Sequence, residues 1–495
     1  MEKQGYILAV DQSTSGTKAM LFDGQGRLVD RCDRSHQQIV NEMGWVEHDG
    51  EEIYRNLIGA VRDLLDKTGT RPEQVEAVGI SNQRETGIAW QTGGRPLYNA
   101  VVWQCARGQS LCEELEHRGL ARPVKEKTGL RLSPYFTAAK FGWLMKNVPE
   151  VQAAARDGSL MLGTIDAWLV YRLTGQHRTD YSNASRTQLF NIHTLAWDEE
   201  LCDWFGVPRK ALPRVCDSNG VFGISTFEGI FPRGVPIRCV MGDSHAALFA
   251  QRCTEPGLGK ATYGTGSSVM INVGSRPVSD ESLVTSLAWG LDGKIDYVLE
   301  GNINYSGAVI NWLKNDISLI EDPAEVGILA RSVQDNGGVY LVPAFSGLGA
   351  PYWNSEAQAM FCGMTRKTKK AHLVRAAEEC IAYQIADIVH LARQAGVELR
   401  ELRADGGPTR DTFLMQFQAD QLDLEVQASR TRELSGAGVA FGAGLAVGAY
   451  TEELLAESRS AVSYRPTARR DRAQRWYAGW KRAVRAVLAM AEEKE

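Results

Sequence analysis

The sequence lacks three features: a paired cysteine motif, a long apolar run and an excess of positive charge. Its nine cysteines are scattered through 495 residues without one C-x-x-C spacing, which disfavours a zinc site or a disulfide scaffold and favours reduced thiols. The sequence contains no run of about 18 apolar residues, the length that a membrane-spanning helix needs. Its first apolar run, residues 6–10, is too short for a secretion signal. The net charge of −5 provides no basic surface for nucleic acid. We therefore expect a cytoplasmic protein that binds neither a membrane nor a nucleic acid.

Length and patterning indicate two α/β domains. A chain of 495 residues is longer than one hydrophobic core supports, since single cores stop growing at about 250–300 residues. Helix-like segments such as residues 51–68 alternate with strand-like segments such as residues 77–81, and this alternation is typical of α/β folds. We predict an N-terminal domain over residues 1–252 and a C-terminal domain over residues 253–495.

The start of the chain predicts a β-hairpin with a polar turn. Residues 6–23 read YILAVDQSTSGTKAMLFD, in which two short apolar runs flank a turn of Ser, Thr and Gly. Backbone N–H groups and hydroxyls in such a turn suit phosphate oxygens, and Lys18 adds a positive charge. Asp11, just before the turn, could hold Mg²⁺ through water. An ordinary hairpin with a solvent-facing loop fits the same pattern.

Two later segments also place a glycine-containing turn directly after a predicted strand. Residues 259–272 again read as strand, Gly/Thr/Ser turn and strand, and residues 402–411 place Gly406 and Gly407 between a strand and a helix, where a ligand can approach the backbone. Two hairpins about 250 residues apart suggest a duplicated architecture, although such hairpins are common enough to recur by chance. The tiny residues of 436–448 indicate a helix that packs closely on a neighbour.

Stretches spread along the chain carry a resemblance to a known family. Phosphate-type loops without a G-x-x-x-x-G-K-[ST] motif exclude a P-loop enzyme and point to the actin-like ATPase superfamily. Within it the sequence resembles the FGGY carbohydrate kinases, and among them the members that phosphorylate glycerol. The matching stretches are GWVEHD (44–49), GISNQRET (79–86), NAVVWQC (99–105), YFTAAKFGWL (135–144), TDYSNASRTQLFNIHT (179–194), GVYLVPAFSGLGAPYW (338–353), FLMQFQA (413–419) and YAGW (477–480).

The resemblance implies a fold and a reaction. The fold would be two ribonuclease-H-like domains with ATP in the cleft between them and a polyol bound on the N-terminal side. The reaction would be ATP- and Mg²⁺-dependent phosphorylation of a terminal hydroxyl of glycerol or a closely related short polyol. A larger C4–C5 polyol or ketose, such as erythritol, threitol, erythrulose or a pentulose, is the alternative substrate. A non-catalytic actin-like ATPase or scaffold is a remote alternative. The family commonly forms dimers or tetramers, so a homo-oligomer is expected.

The resemblance also implies roles for the residues around the substrate. Asp243 follows a buried strand and would be the general base, although the N-cap of the next helix is an alternative role. Arg84 and Glu85 would hold hydroxyls, unless they form only a surface ion pair. Trp103 would cover the carbon face and Tyr135 would donate its hydroxyl, although both could be core aromatics.

The resemblance divides the remaining site residues between metal and nucleotide. Asp11, through water, and Asp243 would hold the metal. The nucleotide residues implied by position are Thr14, Ser15, Gly16, Lys18, Thr265, Gly266, Gly307, Asn311, Gly407 and Asp411.

Four positions depart from the glycerol-phosphorylating members of the family. Ser244 stands where Gln is usual and Ser268 where Phe is usual, so the substrate pocket should be larger and more polar. Asn311 stands where Gln is usual and Asp411 where Asn is usual. Because Asp411 cannot donate as an amide does, the contact on the adenine side is expected to differ.

Overall fold

The computed structural model describes residues 5–492. In the first half of the chain the strands are β1 (Tyr6–Gln12), β2 (Gly16–Phe22), β3 (Leu28–Ser35), β4 (Ile39–Val40), β5 (Val46–His48), β6 (Val75–Asn82), β7 (Gly87–Gln91), β8 (Arg95–Pro96), β9 (Ala100–Val101), β10 (Leu160–Thr164), β11 (Arg178–Asp180), β12 (Phe190–Asn191), β13 (Ala196–Trp197), β14 (Arg214–Cys216), β15 (Gly223–Ser225) and β16 (Val235–Gly242). The helices of this half are α1 (Gly50–Thr68), α2 (Gln109–His117), α3 (Ala121–Thr128), α4 (Thr137–Asn147), α5 (Pro149–Asp157), α6 (Ile165–Thr174), α7 (Tyr181–Ala184), α8 (Glu199–Phe205) and α9 (Asp243–Ala250).

The second half has its own strands and helices. The strands are β17 (Leu258–Tyr263), β18 (Ser267–Gly274), β19 (Val284–Leu291), β20 (Lys294–Ile303), β21 (Tyr340–Val342), β22 (Met360–Cys362), β23 (Glu401–Asp405), β24 (Val426–Ser429) and β25 (Ala461–Tyr464). The helices are α10 (Gly307–Asn315), α11 (Glu325–Arg331), α12 (Lys370–Gln394), α13 (Thr412–Leu422), α14 (Leu434–Ala446), α15 (Glu452–Glu457) and α16 (Arg470–Glu492). Three short 3₁₀ helices span Pro72–Gln74, Arg209–Ala211 and Gly407–Arg410.

Each half contains a large sheet with the same central topology. In the first, the order is β15-β16-β6-β1-β2-β3, with β1 antiparallel to β2 but parallel to β6. In the second, the order is β19-β20-β18-β17-β23-β24-β25, with β17 antiparallel to β18 but parallel to β23. Both sheets thus begin with a hairpin and continue with parallel crossovers. The duplicated architecture predicted from the two hairpins is present.

The parallel register brings polar residues to one edge of the first sheet. Asp11 of β1 is paired with Ser81 of β6, and Ser81 is paired with Met241 of β16. Asp243 therefore follows at the edge where Asp11 ends its strand. The carboxyl ends of parallel strands are where open α/β sheets bind ligands.

A second six-stranded sheet, in which β8 pairs with β7, and several helices are inserted into the first half. The sheet has the order β10-β7-β9-β5-β4, and buried side chains of α2, α4 and α8 pack with it into a separate apolar cluster. The loops that follow β9 and precede α4 carry Trp103 and Tyr135. The inserted layer therefore supplies the aromatic residues of the predicted substrate site.

Helix α14 packs closely against elements of the first half. Its buried face belongs to one apolar cluster with β1, β16 and α9. A Cβ added at Gly438 would lie 1.9 Å from the carbonyl oxygen of Ala246 in α9, and one at Gly442 would lie 2.5 Å from Sγ of Cys239. The tiny residues thus permit the close approach predicted from the sequence.

The predicted local elements are confirmed. The helix expected over residues 51–68 is α1, and the strand expected over residues 77–81 lies inside β6. Within residues 5–492, none of the helices is both long and apolar enough to cross a membrane. All nine cysteines are free thiols.

Candidate active site

Two adjoining cavities are lined by about half of the residues predicted to bind substrate, nucleotide or metal. The larger, of about 1040 Å³, is lined by Asp11, Lys18, Asp243 and Ser244. The smaller, of about 650 Å³, is lined by residues predicted to hold the nucleotide, namely Thr265, Gly307, Asn311, Gly407 and Asp411. Gly407 lines both cavities, so they form one continuous cleft with a charged end and a less polar end.

Asp243 lies at the charged end as the first residue of α9. Its Oδ1 accepts a hydrogen bond from the backbone N–H of Ser244 at 2.6 Å and lies 3.4 Å from Nε of Arg84. The side chain is 36% exposed, so a ligand in the cleft can reach it. The helix cap itself is Gly242, which rules out the alternative of Asp243 as the N-cap residue.

Asp11 is a buried carboxyl at the same end of the cleft. Its Oδ1 accepts a hydrogen bond from Oγ of Ser81 at 2.6 Å. Burial, with a smaller contribution from the negative charge of Asp243, raises the pKa of Asp11 to about 6. Two carboxylates that repel each other in a cleft suit a divalent cation, since Mg²⁺ binds one or two carboxylates and keeps several waters. Asp11 and Asp243 therefore fit the metal role implied by the resemblance.

Arg84 and Glu85 belong to a buried network of four charges. The Nη1 and Nη2 atoms of Arg84 donate to both carboxylate oxygens of Glu300, each at 3.1 Å. Arg186 donates from Nε to Glu85 at 2.6 Å and from Nη1 to Glu300 at 2.9 Å. Burial works to raise the pKa of Glu300, but attraction to Arg186 and Arg84 outweighs it and holds that pKa well below its usual value. The alternative of a surface ion pair is wrong, because Arg84 and Glu85 are both buried.

Glu85 has a backbone conformation that needs support. Its φ of 61° lies in the left-handed region, which is uncommon for a residue with a side chain and clusters at functional sites. The carbonyl of Glu85 accepts a hydrogen bond from Oγ1 of Thr137 at 3.1 Å, and its carboxylate is held by Arg186. The fold therefore fixes both ends of this residue beside the cleft.

Trp103 and Tyr135 form a partly buried aromatic pair. Their ring centroids lie 5.5 Å apart in an edge-to-face arrangement. Nε1 of Trp103 donates to Oγ1 of Thr14 at 3.0 Å, which links the predicted substrate wall to the first phosphate loop. Lys140 donates from Nζ to the carbonyls of Pro134 and Phe136 at 2.7 and 3.1 Å and so anchors the loop of Tyr135. Neither ring is a fully buried core aromatic.

The two serines that depart from the family pattern lie near the charged groups. Ser244 lines the larger cavity. Oγ of Ser268 donates to Oε1 of Glu300 at 3.4 Å, and Glu300 holds Arg84. Both positions therefore carry a small hydroxyl next to the predicted substrate groups.

Two glycines of the predicted phosphate loops, Gly16 and Gly266, have no room for a side chain. A Cβ at Gly16 would lie 2.7 Å from the carbonyl oxygen of Arg34, and one at Gly266 would lie 2.3 Å from that of Ile303. Ser15 is exposed in the first turn. Nζ of Lys18 donates to Glu433 at 2.6 Å, so its charge is already paired at the rim of the cleft.

At the less polar end, the hairpin loop and α10 are joined through their backbones. The N–H of Gly307 donates to the carbonyl of Gly264 at 2.9 Å, which sets the N-terminus of α10 beside Thr265. Asp411 caps α13, since its Oδ1 accepts a hydrogen bond from the N–H of Phe413 at 2.7 Å. Its carboxylate thus contacts backbone while also lining the cavity.

Sequence reasoning missed four charged residues: Lys260 and Glu378, which line the cleft, and Arg186 and Glu300, which hold Arg84 and Glu85. Lys260 lines the larger cavity, is 1% exposed, and donates from Nζ to Oγ1 of Thr262 at 2.8 Å. Burial lowers its pKa, and the nearby carboxylate of Asp405 opposes that shift. The signal for Glu300 was a lone charge within an apolar segment, YVLEGNI.

Comparison with family models covers most of the chain. The model of the N-terminal domain of the FGGY family of carbohydrate kinases matches residues 6–250, and the model of its C-terminal domain matches residues 259–447.

Individual proteins match over nearly the full length. The protein named glycerol kinase 1 of Thermotoga maritima is 50% identical over 492 residues, 98% of this chain and 99% of the relative. The glycerol kinase of Symbiobacterium thermophilum is 45% identical over 497 residues, 99% and 100% of the two chains. The crystal structure of Plasmodium falciparum glycerol kinase with ADP has a TM-score of 0.93 at 34% identity and covers 98% of each chain.

A more distant structure supports the fold alone. The ligand-bound xylulose kinase from Lactobacillus acidophilus has a TM-score of 0.90 at 22% identity, with 99% of this chain and 100% of that chain covered. The predicted fold class, an α/β protein of two ribonuclease-H-like domains, is confirmed.

Proposed function

We propose that this chain, which belongs to the FGGY family of carbohydrate kinases, phosphorylates a terminal hydroxyl of glycerol or a related short polyol with Mg²⁺-ATP. The observation that carries the proposal is the position of Asp243 in the larger cavity, 3.4 Å from Arg84 and beside Asp11 and Lys18. One cleft thus gathers a carboxylate able to accept a proton, hydroxyl-binding charges and cationic groups. Phosphoryl transfer needs mainly such positioning and charge stabilisation.

The polyol would lie between the buried charges and the aromatic pair. Arg84 would donate to hydroxyl oxygens, and Glu85 would accept from hydroxyl protons. Trp103 would cover the carbon face, and the Tyr135 hydroxyl would donate to the substrate. Because Glu300 and Arg186 hold Arg84 and Glu85 in place, little side-chain freedom remains to be lost on binding.

Asp243 would accept the hydroxyl proton on a carboxylate oxygen as the substrate oxygen bonds to the terminal phosphorus of ATP. The bond from that phosphorus to the bridging oxygen would break at the same time, and ADP would leave with the bond's electron pair. Asp11, through water, and Asp243 are the residues proposed to hold Mg²⁺, which when bound neutralises charge on the transferred phosphoryl group. Lys260 would add a positive charge at the same end of the cleft. Thr14, Ser15, Gly16, Lys18, Thr265 and Gly266 are proposed to line the phosphates, and Gly307, Asn311, Gly407 and Asp411 the nucleoside.

A coupled ADP-release assay tests this function across C3 to C5 polyols and ketoses. We expect turnover with glycerol, and we expect Asp243→Asn to lower kcat by about 10²- to 10⁴-fold, the range of general-base catalysis. ADP binding by the variant, measured by calorimetry, should persist. If Asp243→Asn retained most of the turnover, the assignment of the base would be wrong.

A second candidate is the same reaction on a C4–C5 polyol or ketose. The small side chains of Ser244 and Ser268, one in the cavity and one on Glu300, favour it. Ser268→Phe would add an apolar wall worth roughly 1.5–3 kcal/mol to a short substrate. If the longer substrate is the natural one, Ser268→Phe should shift kcat/KM towards glycerol by about tenfold or more, since 1.4 kcal/mol is a factor of ten.

Ser268→Ala is the matched control, because it removes the hydroxyl without adding bulk. It should leave the preference for chain length unchanged. A glycerol preference already high in the unaltered protein, and unaffected by Ser268→Phe, would exclude the second candidate.

We further propose a cytoplasmic homo-oligomer, a dimer or a tetramer. The free thiols of all nine cysteines are consistent with a reducing compartment. Light scattering coupled to gel filtration would measure the number of subunits.

A further inference from the structure

One carboxyl group in the smaller cavity has an oxygen without a hydrogen-bond partner. Glu378, in α12, is 2% exposed and lines the cavity of about 650 Å³. Its Oε2 accepts no hydrogen bond from any residue within 5–492. A buried polar atom without a hydrogen bond costs free energy. A donor supplied by a ligand would therefore give Oε2 of Glu378 the hydrogen bond that it lacks.

Glu379, the next residue of the same helix, has the hydrogen bonds that Oε2 of Glu378 lacks. Glu379 accepts hydrogen bonds from Nε of Arg375 at 2.7 Å and from Nδ2 of Asn336 at 2.9 Å. Its carboxylate faces the protein and is satisfied there. Glu378 faces the cavity instead, so its open oxygen is available to whatever enters.

The surroundings of Glu378 favour the uncharged form of its carboxyl group. Burial, with the adjacent Asp411 carboxyl, raises the pKa of Glu378 well above its usual value. Arg331 lies near that carboxyl pair, with its Nη1 3.8 Å from Oδ1 of Asp411, but its side chain is 49% exposed. A hydrogen-bond donor on the ligand would therefore meet one open acceptor, Oε2 of Glu378, because Oδ1 of Asp411 already accepts from the N–H of Phe413.

The residues that line the smaller cavity indicate which kind of ligand could supply the hydrogen-bond donor. Ile310, Val326, Ile381 and Leu414 line it with apolar surface, which suits a flat heteroaromatic ring rather than a hydrated cation. Gly407 and Arg410 connect it to the phosphate end of the cleft. A ring with an amino group on its edge, carrying phosphates at the other end, matches both cavities.

We propose that Glu378 selects the base of the nucleotide by accepting a hydrogen bond at Oε2 from the 6-amino group of adenine. This rests on the proposed function, since it places the base of ATP in the smaller cavity. It adds a specificity-determining residue for which the sequence carried no motif.

Calorimetry with two nucleotides isolates this contact. ADP and purine riboside 5′-diphosphate differ only in the 6-amino group. We expect the unaltered protein to bind ADP about tenfold or more tightly, because the analogue leaves a buried acceptor oxygen without its hydrogen bond. In Glu378→Leu, which removes the open acceptor and retains bulk, the two affinities should agree within about twofold.

Two further variants keep the test decisive. Glu378→Met keeps an unbranched side chain of similar length without an acceptor oxygen and should also reduce the ratio, so a folding defect in Glu378→Leu would not decide the outcome. Glu325→Gln in α11 removes a carboxylate that hydrogen-bonds only to backbone N–H groups of residues 321 and 322, and it should keep the full ratio. Equal binding of both nucleotides by the unaltered protein, tighter binding of GDP than ADP, or an unchanged ratio in both Glu378 variants would overturn the proposal.

The same experiment separates this proposal from the function on which it rests. Loss of the 6-amino preference, with polyol phosphorylation from ATP intact, refutes only the role of Glu378. A retained preference for ADP, with no polyol phosphorylated, refutes only the proposed reaction. Failure to bind any of these nucleotides refutes both.

Discussion

Replacing Glu300 with glutamine removes one negative charge from the buried network that holds Arg84. The network is neutral, with Arg84 and Arg186 facing Glu85 and Glu300. Glu300 contacts both arginines at 2.9–3.1 Å, and each such attraction is worth about 5 kcal/mol at an effective dielectric constant near 20. Because desolvation offsets much of this, breaking a buried pair costs about 3–5 kcal/mol.

Two measurements check Glu300→Gln. The midpoint of urea unfolding at pH 7 should fall by an amount that corresponds to about 3–5 kcal/mol. The KM for the polyol should rise by about tenfold or more, since a 1.4 kcal/mol loss of binding is tenfold, because Arg84 is no longer held in position. The KM for ATP should change little, since the network lies outside the smaller cavity.

The loss of stability caused by Glu300→Gln should depend on pH in one direction. The pKa of Glu300 is lower in the folded protein than its ordinary value of 4.5. Its contribution to stability is therefore fully present above pH 4.5 and is lost as the pH falls towards the folded pKa. The difference in unfolding midpoint between the unaltered protein and Glu300→Gln should narrow below pH 4.5.

Glu379→Gln is the matched control for Glu300→Gln. Glu379 is also buried and paired with one arginine, Arg375 at 2.7 Å, but it lies in α12 away from Arg84. Its replacement should lower stability without changing the KM for the polyol. If both variants changed the polyol KM equally, or Glu300→Gln left it unchanged, the network would not position the substrate groups.

Two further predictions concern the cleft. Lys260→Gln should lower kcat by about 10²-fold or more, because a buried charge that can stabilise the transferring phosphoryl group is removed. Steady-state kinetics should show this fall while the affinity for ADP stays near normal. An unchanged kcat would contradict the prediction. Trp103→Phe should raise the polyol KM by a few-fold, since the hydrogen bond to Thr14 is lost at a cost of about 0.5–1.5 kcal/mol. A kcat that fell while KM stayed constant would argue against a binding role for Trp103.

The local elements of this fold could be predicted from sequence because their signals lie within a few residues. The hairpin around Gly16, for example, follows from two apolar runs and a small-residue turn. Asp11 and Asp243 could be paired only through the resemblance, although the parallel register of β1, β6 and β16 explains their meeting.

The charged network could not be predicted, because its members contact each other across long separations in the chain. Arg84 and Glu300 are 216 residues apart, and Glu85 and Arg186 are 101 apart. No local period marks such a pair. Its only trace is a charged residue within a buried strand or loop, which is unusual because such residues are seldom buried unless paired.

The packing of α14 has a consequence for folding during synthesis. The buried face of α14, residues Leu434–Ala446, completes an apolar cluster with β1, β16 and α9, although about 200 residues separate it from the end of α9. At a synthesis rate of about 5–20 residues per second, roughly 10–40 seconds would pass between the synthesis of α9 and the synthesis of α14. During that interval the apolar surface around Cys239 and Ala246 lacks its partner, so a nascent chain is expected to need a chaperone until residue 446 has left the ribosome.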